Sequence, residues 1–377
     1  MEFNSNIIID KWLRIQKETP QYLNKMSKER ELIGWVLEYC PEEIIHALNC
    51  HPIPLWGEGL KITLSNRYFP SFYCQPIRSI LEQGMRGELD HLKAVLAPSL
   101  CDSLKAFGQN WKVAVPQIPI IQFVHPQNRK AESAISFLVG EYQSIIDQLS
   151  MVIDRKWNLK RLSESIQIYE LRNKLVRNLI ETIAERDDCP YSLQVLVYHM
   201  SRVLRVEDFV ADAEILLKDL DSFLPSGRLN PSIMLIGITA DNNKIIEAID
   251  QSRLKIVSDD LANGNRQVRT AVDLKITDPI EALAIKWRDH IGCCLAYSPE
   301  KERIDFLKER ILEKGIQGVI FSQMSFCDPE EYDYPLIRDM LVENGIPHLT
   351  IQLTDDASEN EQLSNRIEAF AEVLKAR

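Results

Sequence analysis

The sequence predicts an α/β protein: two pseudo-duplicated parallel-sheet lobes of Rossmann/flavodoxin-like type, joined by a helical layer. Three observations predict it. From Pro231 onward, short apolar runs alternate with helical stretches, the pattern of a parallel sheet with helices on its faces. Between Ala131 and Leu224 strand signals almost vanish and apolar residues fall at helical spacing. Segments of the first lobe also recur, in the same order, in the last part of the chain.

In the first lobe, Glu43 to Leu48 reads as a helix leading to a strand at Ile53 to Trp56. Cys74 precedes a helix ending near Gly87, and the apolar run Leu92 to Leu100 enters Cys101-Asp102. A further helix and a strand at Ile118 to Val124 follow. In the middle region Ile135, Leu138, Val139, Tyr142, Ile145, Ile146 and Leu149 mark one helical face, and Phe209, Val210, Ala213, Leu216, Leu217 and Leu220 another. The second lobe repeats the first. Strands are expected at Ile233 to Ile238, Leu254 to Val257, Gly318 to Gln323 and His348 to Leu353. Helices are expected at Asp241 to Asp250, Pro279 to Asp289, Lys301 to Lys314, Pro335 to Glu343 and Glu361 to Leu374. Cys293-Cys294 stand where the first lobe has Cys74, and Cys327-Asp328 where it has Cys101-Asp102. The expected boundaries are 1–130 (N-terminal α/β lobe with leading helices), 131–230 (helical connector) and 231–377 (C-terminal α/β lobe).

A chain of 377 residues exceeds what one core usually supports. Its apolar and charged fractions, 45% and 26%, are those of a globular protein. No run is apolar enough to span a membrane, and the first residues lack a signal-peptide pattern. The expected location is cytoplasmic, with no membrane partner. A net charge of -11, well mixed along the chain, argues against nucleic acid, which needs a basic face. With 14 glycines and no G-x-x-x-x-G-K-[ST] loop, the chain shows no nucleotide-hydrolysing motif.

Eight cysteines (40, 50, 74, 101, 189, 293, 294 and 327) are too dispersed for a disulfide framework. A zinc site fits thiolates, but the usual close C-x₂-C pair is absent. Catalytic thiol chemistry needs a neighbouring base, and His46 and His51 are near only in sequence. An iron–sulfur cluster held across a cleft also suits soft thiolates. Residue chemistry alone leaves zinc and iron–sulfur open.

The stretch Met324-Ser325-Phe326-Cys327-Asp328-Pro329-Glu330-Glu331-Tyr332-Asp333-Tyr334-Pro335 resembles a signature of the 2-hydroxyacyl-CoA dehydratase family, in its smaller subunit. That family also takes in class I benzoyl-CoA reductase subunits. Similar matches run along the chain: Tyr39-Cys40-Pro41-Glu42-Glu43, Cys101-Asp102-Ser103-Leu104, Gln109-Asn110-Trp111 and His125-Pro126-Gln127-Asn128-Arg129. Asp259-Asp260-Leu261, Arg266-Gln267, Cys294-Leu295-Ala296-Tyr297 and Arg366-Ile367-Glu368-Ala369-Phe370 continue them. Ser364-Asn365 before Arg366, and Asn263-Gly264-Asn265 before Arg266, depart from the family pattern and leave the acyl chain of the substrate unassigned.

The resemblance implies one [4Fe-4S] cluster bound by Cys74, Cys101 and Cys327, with one iron open to substrate oxygen. It leaves room for a flavin in the complex. Implied partners are a larger homologous subunit, a separate ATP-hydrolysing iron–sulfur activator and an acyl-CoA substrate. One injected electron would form a ketyl radical that expels the neighbouring hydroxyl, giving a 2-enoyl-CoA. Alternatives are a benzoyl-CoA-reductase-type subunit, or an electron-relay partner of a catalytic larger subunit. Glu42 and Glu43 are candidates for an outer ligand or proton acceptor. Their plain alternative is a dipole-favoured first turn behind Pro41. Asp102 and Asp328 are expected to bond loop amides beside the thiolates. Cys40, Cys50, Cys293 and Cys294 are expected to remain unligated.

Overall fold

The computed structural model describes residues 4–57, 61–222, 229–353 and 360–377. Helices α1 (Asn4–Lys17) and α2 (Thr19–Met26) lead into β1 (Leu32–Val36), α3 (Glu42–Ala47), β2 (His51–Leu55), α4 (Gln75–Met85), β3 (Leu92–Pro98), α5 (Asp102–Ala114) and β4 (Ile120–Phe123). Four helices follow: α6 (Glu132–Ile153), α7 (Leu159–Ala184), α8 (Tyr191–Val203) and α9 (Val206–Asp221). The last part runs β5 (Ser232–Gly237), α10 (Asn243–Ser252), β6 (Lys255–Leu261), α11 (Pro279–Arg288), α12 (Glu302–Glu313), β7 (Gly318–Met324), α13 (Asp328–Glu343), β8 (His348–Leu353) and α14 (Asn360–Lys375).

The two sheets have the same topology. Their strand orders are β2-β1-β3-β4 and β6-β5-β7-β8, with every pairing parallel. This is the doubly wound arrangement in which the chain starts centrally and reverses direction once. Central strands covered on both faces need unbroken apolar runs, and β1 and β5 are buried at every residue. That is why sequence pattern does not single out β1: five residues buried on both faces show no alternation. Gly237, at the end of β5, has φ +148°, and a Cβ there would lie 2.1 Å from the Ser322 carbonyl oxygen, so only glycine fits.

Two elements differ from expectation. Helix α13 begins at Asp328, not Pro335, because Asp328, Glu330 and Glu331 favour its first turn; Pro335 lies inside it and forgoes one helical N–H. Strand β6 extends past Val257 to Leu261, since the buried carboxylates of Asp259 and Asp260 find partners there.

The first core joins β1–β4 and their helices to Ile238, Ala262 and Met324, at the carboxyl ends of the second sheet. It also takes in Ile280, Leu283, Trp287 and Cys293. Helix α11 packs on α6, so the chain between β6 and α12 crosses to the first lobe. Helices α7, α8 and α9 form a second core with α1. Among the described residues no helix is long and apolar enough to cross a membrane.

Candidate functional site

In doubly wound sheets a ligand crevice opens beyond the carboxyl ends of the strands, where the chain reverses direction. Here that point lies between β1 and β3 in one sheet and between β5 and β7 in the other. Glu38 follows β1, Cys101 follows β3, Ile238 follows β5 and Cys327 follows β7, and all line one cavity of about 480 Å³. Cys74 enters it from the loop before α4, and Cys294 from the crossing segment before α12. The structure thus brings together the three cysteines that the resemblance singles out.

Each of the three is the N-cap of a helix: Cys74 of α4, Cys101 of α5 and Cys327 of α13. Helix N-termini carry partial positive charge and favour an anionic sulfur. The amides of Ile77, Leu104 and Glu330, three residues on, face the sulfurs and act in that direction, though none makes a full capping bond. Burial works against them. It pushes the Cys101 thiol up to about 12, with Cys74 adding to the rise. Cys327 is pushed up by burial, then by Glu330 and Cys74. Three thiolates so placed need a cationic centre to hold them.

Among the described residues, no group of three or more His, Cys, Asp or Glu side chains could hold a single metal ion. A cubane asks for something different. Each thiolate binds its own iron, so the ligands stand apart around a core rather than converging on a point. Sulfur donors from three helix ends around a roomy cavity fit that demand, and soft thiolates suit iron–sulfur.

Sequence reasoning missed two features of this wall. Glu38 is buried, and burial followed by the neighbouring Cys293 pushes its carboxyl well above the usual range; the Cys293 sulfur lies 3.8 Å from its Oε2. Behind the cavity lies a buried charge network. Arg266 donates to both oxygens of Asp260 (3.1 and 3.0 Å) and to Glu330 (2.7 Å). Arg303 reaches Asp260, Glu330 and Asp333 at 2.8, 3.0 and 3.1 Å, and Arg269 also binds Asp260. Burial alone would raise the Asp260 carboxyl, but Arg266, Arg303 and Arg269 hold it far below its usual range. The only sequence signal was the pairing of Asp259-Asp260 with Arg266 in the family-like motifs.

Glu42 and Glu43 do not line the thiol cavity. They face a smaller one of about 60 Å³, with Cys40, His125 and His290. Arg172 grips both oxygens of Glu42 at 3.0 and 2.9 Å. Lys286 meets Glu43 at 3.2 Å and Glu170 at 3.7 Å. Both glutamates are first-turn residues behind Pro41. His46 bonds Ser165 and Glu207. His51 bonds the Val203 carbonyl, and burial pushes it down to about 4. Neither histidine lines the thiol cavity. Asp102 pairs with Lys105 at the surface rather than with loop amides. Cys50 lies 3.7 Å from Arg155, and Cys189 packs in the helical core.

Comparison with known proteins bears on this site. The family model described as 2-hydroxyglutaryl-CoA dehydratase, D-component, matches residues 38–374. The (R)-phenyllactyl-CoA dehydratase beta subunit of Clostridium sporogenes is 30% identical, over 98% of this chain and 100% of that protein. Lactoyl-CoA dehydratase subunit beta of Anaerotignum propionicum is 31% identical, over 93% of each. (R)-2-hydroxyglutaryl-CoA dehydratase, subunit beta, of Acidaminococcus fermentans is 28% identical, over 97% of this chain and 99% of that protein.

Proposed function

Because this chain belongs to the 2-hydroxyglutaryl-CoA dehydratase D-component family, we propose that it is the small, beta-type subunit of an (R)-2-hydroxyacyl-CoA dehydratase. In this proposal Cys74, Cys101 and Cys327 hold one [4Fe-4S] cluster. The carrying observation is that these three thiols, each at a helix N-terminus, line one cavity at the facing switch points of the two sheets. When bound, the cluster supplies the low-potential one-electron chemistry by which a hydroxyl can leave the carbon beside a thioester.

The chain's own residues do the rest. Three helix N-termini stabilise sulfur anions at fixed positions. Leu37, Leu100, Ile238 and Met324 contribute apolar surface to the cavity wall. Burial, and then Cys293, push the carboxyl of Glu38, in the same wall, toward its protonated form. The Asp260 network fixes α12 and α13 behind the cavity, so Cys327 is held on a rigid support. Glu42 and Glu43, engaged in ion pairs, are assigned no step. The partners in this reading are a larger homologous subunit, a separate ATP-hydrolysing activator that delivers the electron, and an acyl-CoA.

Anaerobic purification followed by iron and sulfide determination tests the reading. About four irons per chain are expected. Cys327→Ser is expected to lose them, whereas Cys189→Ser is expected to keep them. Zinc without sulfide would overturn the cluster. The complex reconstituted with its partner and activator, assayed on a panel of 2-hydroxyacyl-CoA thioesters, is expected to yield 2-enoyl-CoA from at least one.

A further inference from the structure

A further cavity, of about 890 Å³, opens where α8 faces the end of β2 and the loop before α10, and it shares no lining residue with the thiol cavity. Arg202, near the end of α8, lies in its wall and is only 9% exposed. The Arg202 Nε donates to the Tyr198 carbonyl at 3.0 Å, and the guanidinium carbon stands 5.8 Å from the centre of the Trp56 ring. Five other buried arginines, Arg129, Arg172, Arg186, Arg266 and Arg303, each meet a carboxylate. Among the described residues none pairs with Arg202, and its Nη1 has no hydrogen-bond partner. The indole N–H of Trp56 and the Nε2 atoms of His91 and His199 also lack partners, and all three residues line the same cavity. A buried guanidinium without a counter-charge is costly, and several orphaned polar atoms around one space point to a ligand that satisfies them.

Charge decides what kind of ligand. Burial pushes His199 down to about 4 and lowers His91 as well, so both rings are neutral at neutral pH. Arg202 is then the cation set into the wall. The other charged lining residues, Lys17, Glu88 and Asp241, are exposed, and two of these three are carboxylates that would repel a dianion. Asp241 is itself engaged by Thr239 and Asn263. A single buried guanidinium among neutral donors matches a monoanion with two oxygens in a plane, the shape that arginine binds as a fork. The buried wall beside it is apolar, with Leu23, Leu55, Val195 and Leu261, and the space far exceeds what a carboxylate head fills. Concave, mostly apolar sites with a few placed polar groups are the usual form of small-molecule pockets.

We infer that this cavity binds a monocarboxylate with an apolar body, its head held by Arg202 and the Trp56 N–H and its body lying against the apolar wall. The site is independent of the cluster reading and stands or falls without it. Isothermal titration calorimetry of the full chain, purified anaerobically, with hexanoate, phenylacetate and inorganic phosphate tests it. At least one of the two carboxylates is expected to bind, and inorganic phosphate, which has no apolar body, to bind more weakly. Arg202→Met, which fills the space without the charge, is expected to weaken carboxylate binding by about tenfold or more. Trp56→Phe keeps the cation and removes the N–H, so it is expected to weaken binding about fivefold, and it decides the matter if Arg202→Met fails to fold. Binding of neither carboxylate, phosphate bound as tightly as the carboxylates, or an affinity unchanged in the variants would each overturn the inference.

Discussion

The two lobes share a strand order but hold equivalent helices by different means. In the first, α4 is tied down by a carboxylate that collects backbone amides. Glu82, with its side chain fully buried, accepts from the N–H groups of Thr63, Leu64 and Ser65 at 3.0, 2.8 and 2.9 Å, and from Arg86. In the second, α12 is tied by a guanidinium: Arg303 reaches Asp260, Glu330 and Asp333. One lobe satisfies a loop and the other neutralises a charge cluster. The difference follows from the crossing segment. It brings Arg266 and Arg269 behind the cavity, where they need carboxylates, while the buried carboxylate of Glu82 in the first lobe faces loop amides. A duplicated fold therefore keeps its topology while each half solves its own polar bookkeeping.

The largest expected effect breaks the second lobe's solution. Asp260→Asn would leave Arg266 with Glu330 and Arg303 with Glu330 and Asp333, and would take from Arg269 the carboxylate it binds. Removing one partner from a buried ionic cluster costs about 3–5 kcal/mol. Urea denaturation should show that loss, and hydrogen exchange should rise first in α12 and α13. Equal acceleration in β1–β4 would mean that the lobes unfold as one unit, and the contrast between them would fail.

A smaller effect is expected at Glu82. Burial would raise this carboxyl, but the Ser65 and Thr63 amides, the Thr63 hydroxyl and Arg86 outweigh it and hold it at about 2. A folded value below the unfolded one, about 4.3, means that this stabilisation is complete above the unfolded value. It is lost as pH falls from there through about 2. Glu82→Gln should cost about 2 kcal/mol at neutral pH and flatten the acid limb of the stability profile below about pH 4. Tryptophan fluorescence suits the measurement, because Trp35 and Trp111 lie in the first core. An unchanged acid limb would show that the loop amides do not depend on Glu82.

How much of this was legible in the sequence differs between the lobes for the same reason. The second lobe's strands are bounded by polar turns and could be placed to within a few residues. In the first, β1 is short, buried on both faces and contains Gly34, so it had no periodic signature, and Glu38 behind it went unnoticed. Cys74, Cys101 and Cys327 emerged only through family resemblance, since residues from three distant segments share no local spacing. The ion pairs of Glu42 and Glu43 were out of reach altogether. Glu42 meets Arg172 and Glu43 meets Lys286, and nothing in the local sequence pairs a first-turn glutamate with a cation more than a hundred residues away. What could be read locally was the plain alternative for these two glutamates, a first turn behind Pro41, and that is where they sit.

The smallest effect tests a second contrast, between the helices that follow β1 and β5. Helix α3 begins at Pro41 with no side-chain cap, and its first turn is held by the pairs that Glu42 and Glu43 make with α7 and α11. Helix α10 is held locally: the Asn242 side chain accepts the Lys244 N–H at 2.9 Å, leaving its exposed end independent of other elements. Asn242→Ala should therefore cost only about 1 kcal/mol, lowering the denaturation midpoint with an unchanged slope. Asn242→Asp should restore most of it, because an acidic N-cap also complements the helix dipole. Iron content should not change in either variant, since Asn242 does not line the thiol cavity. Loss of iron, or a cost approaching that of Asp260→Asn, would show that the capped end of α10 supports the cavity. In that case local capping and tertiary ion pairing would not divide between α10 and α3 as the structure indicates.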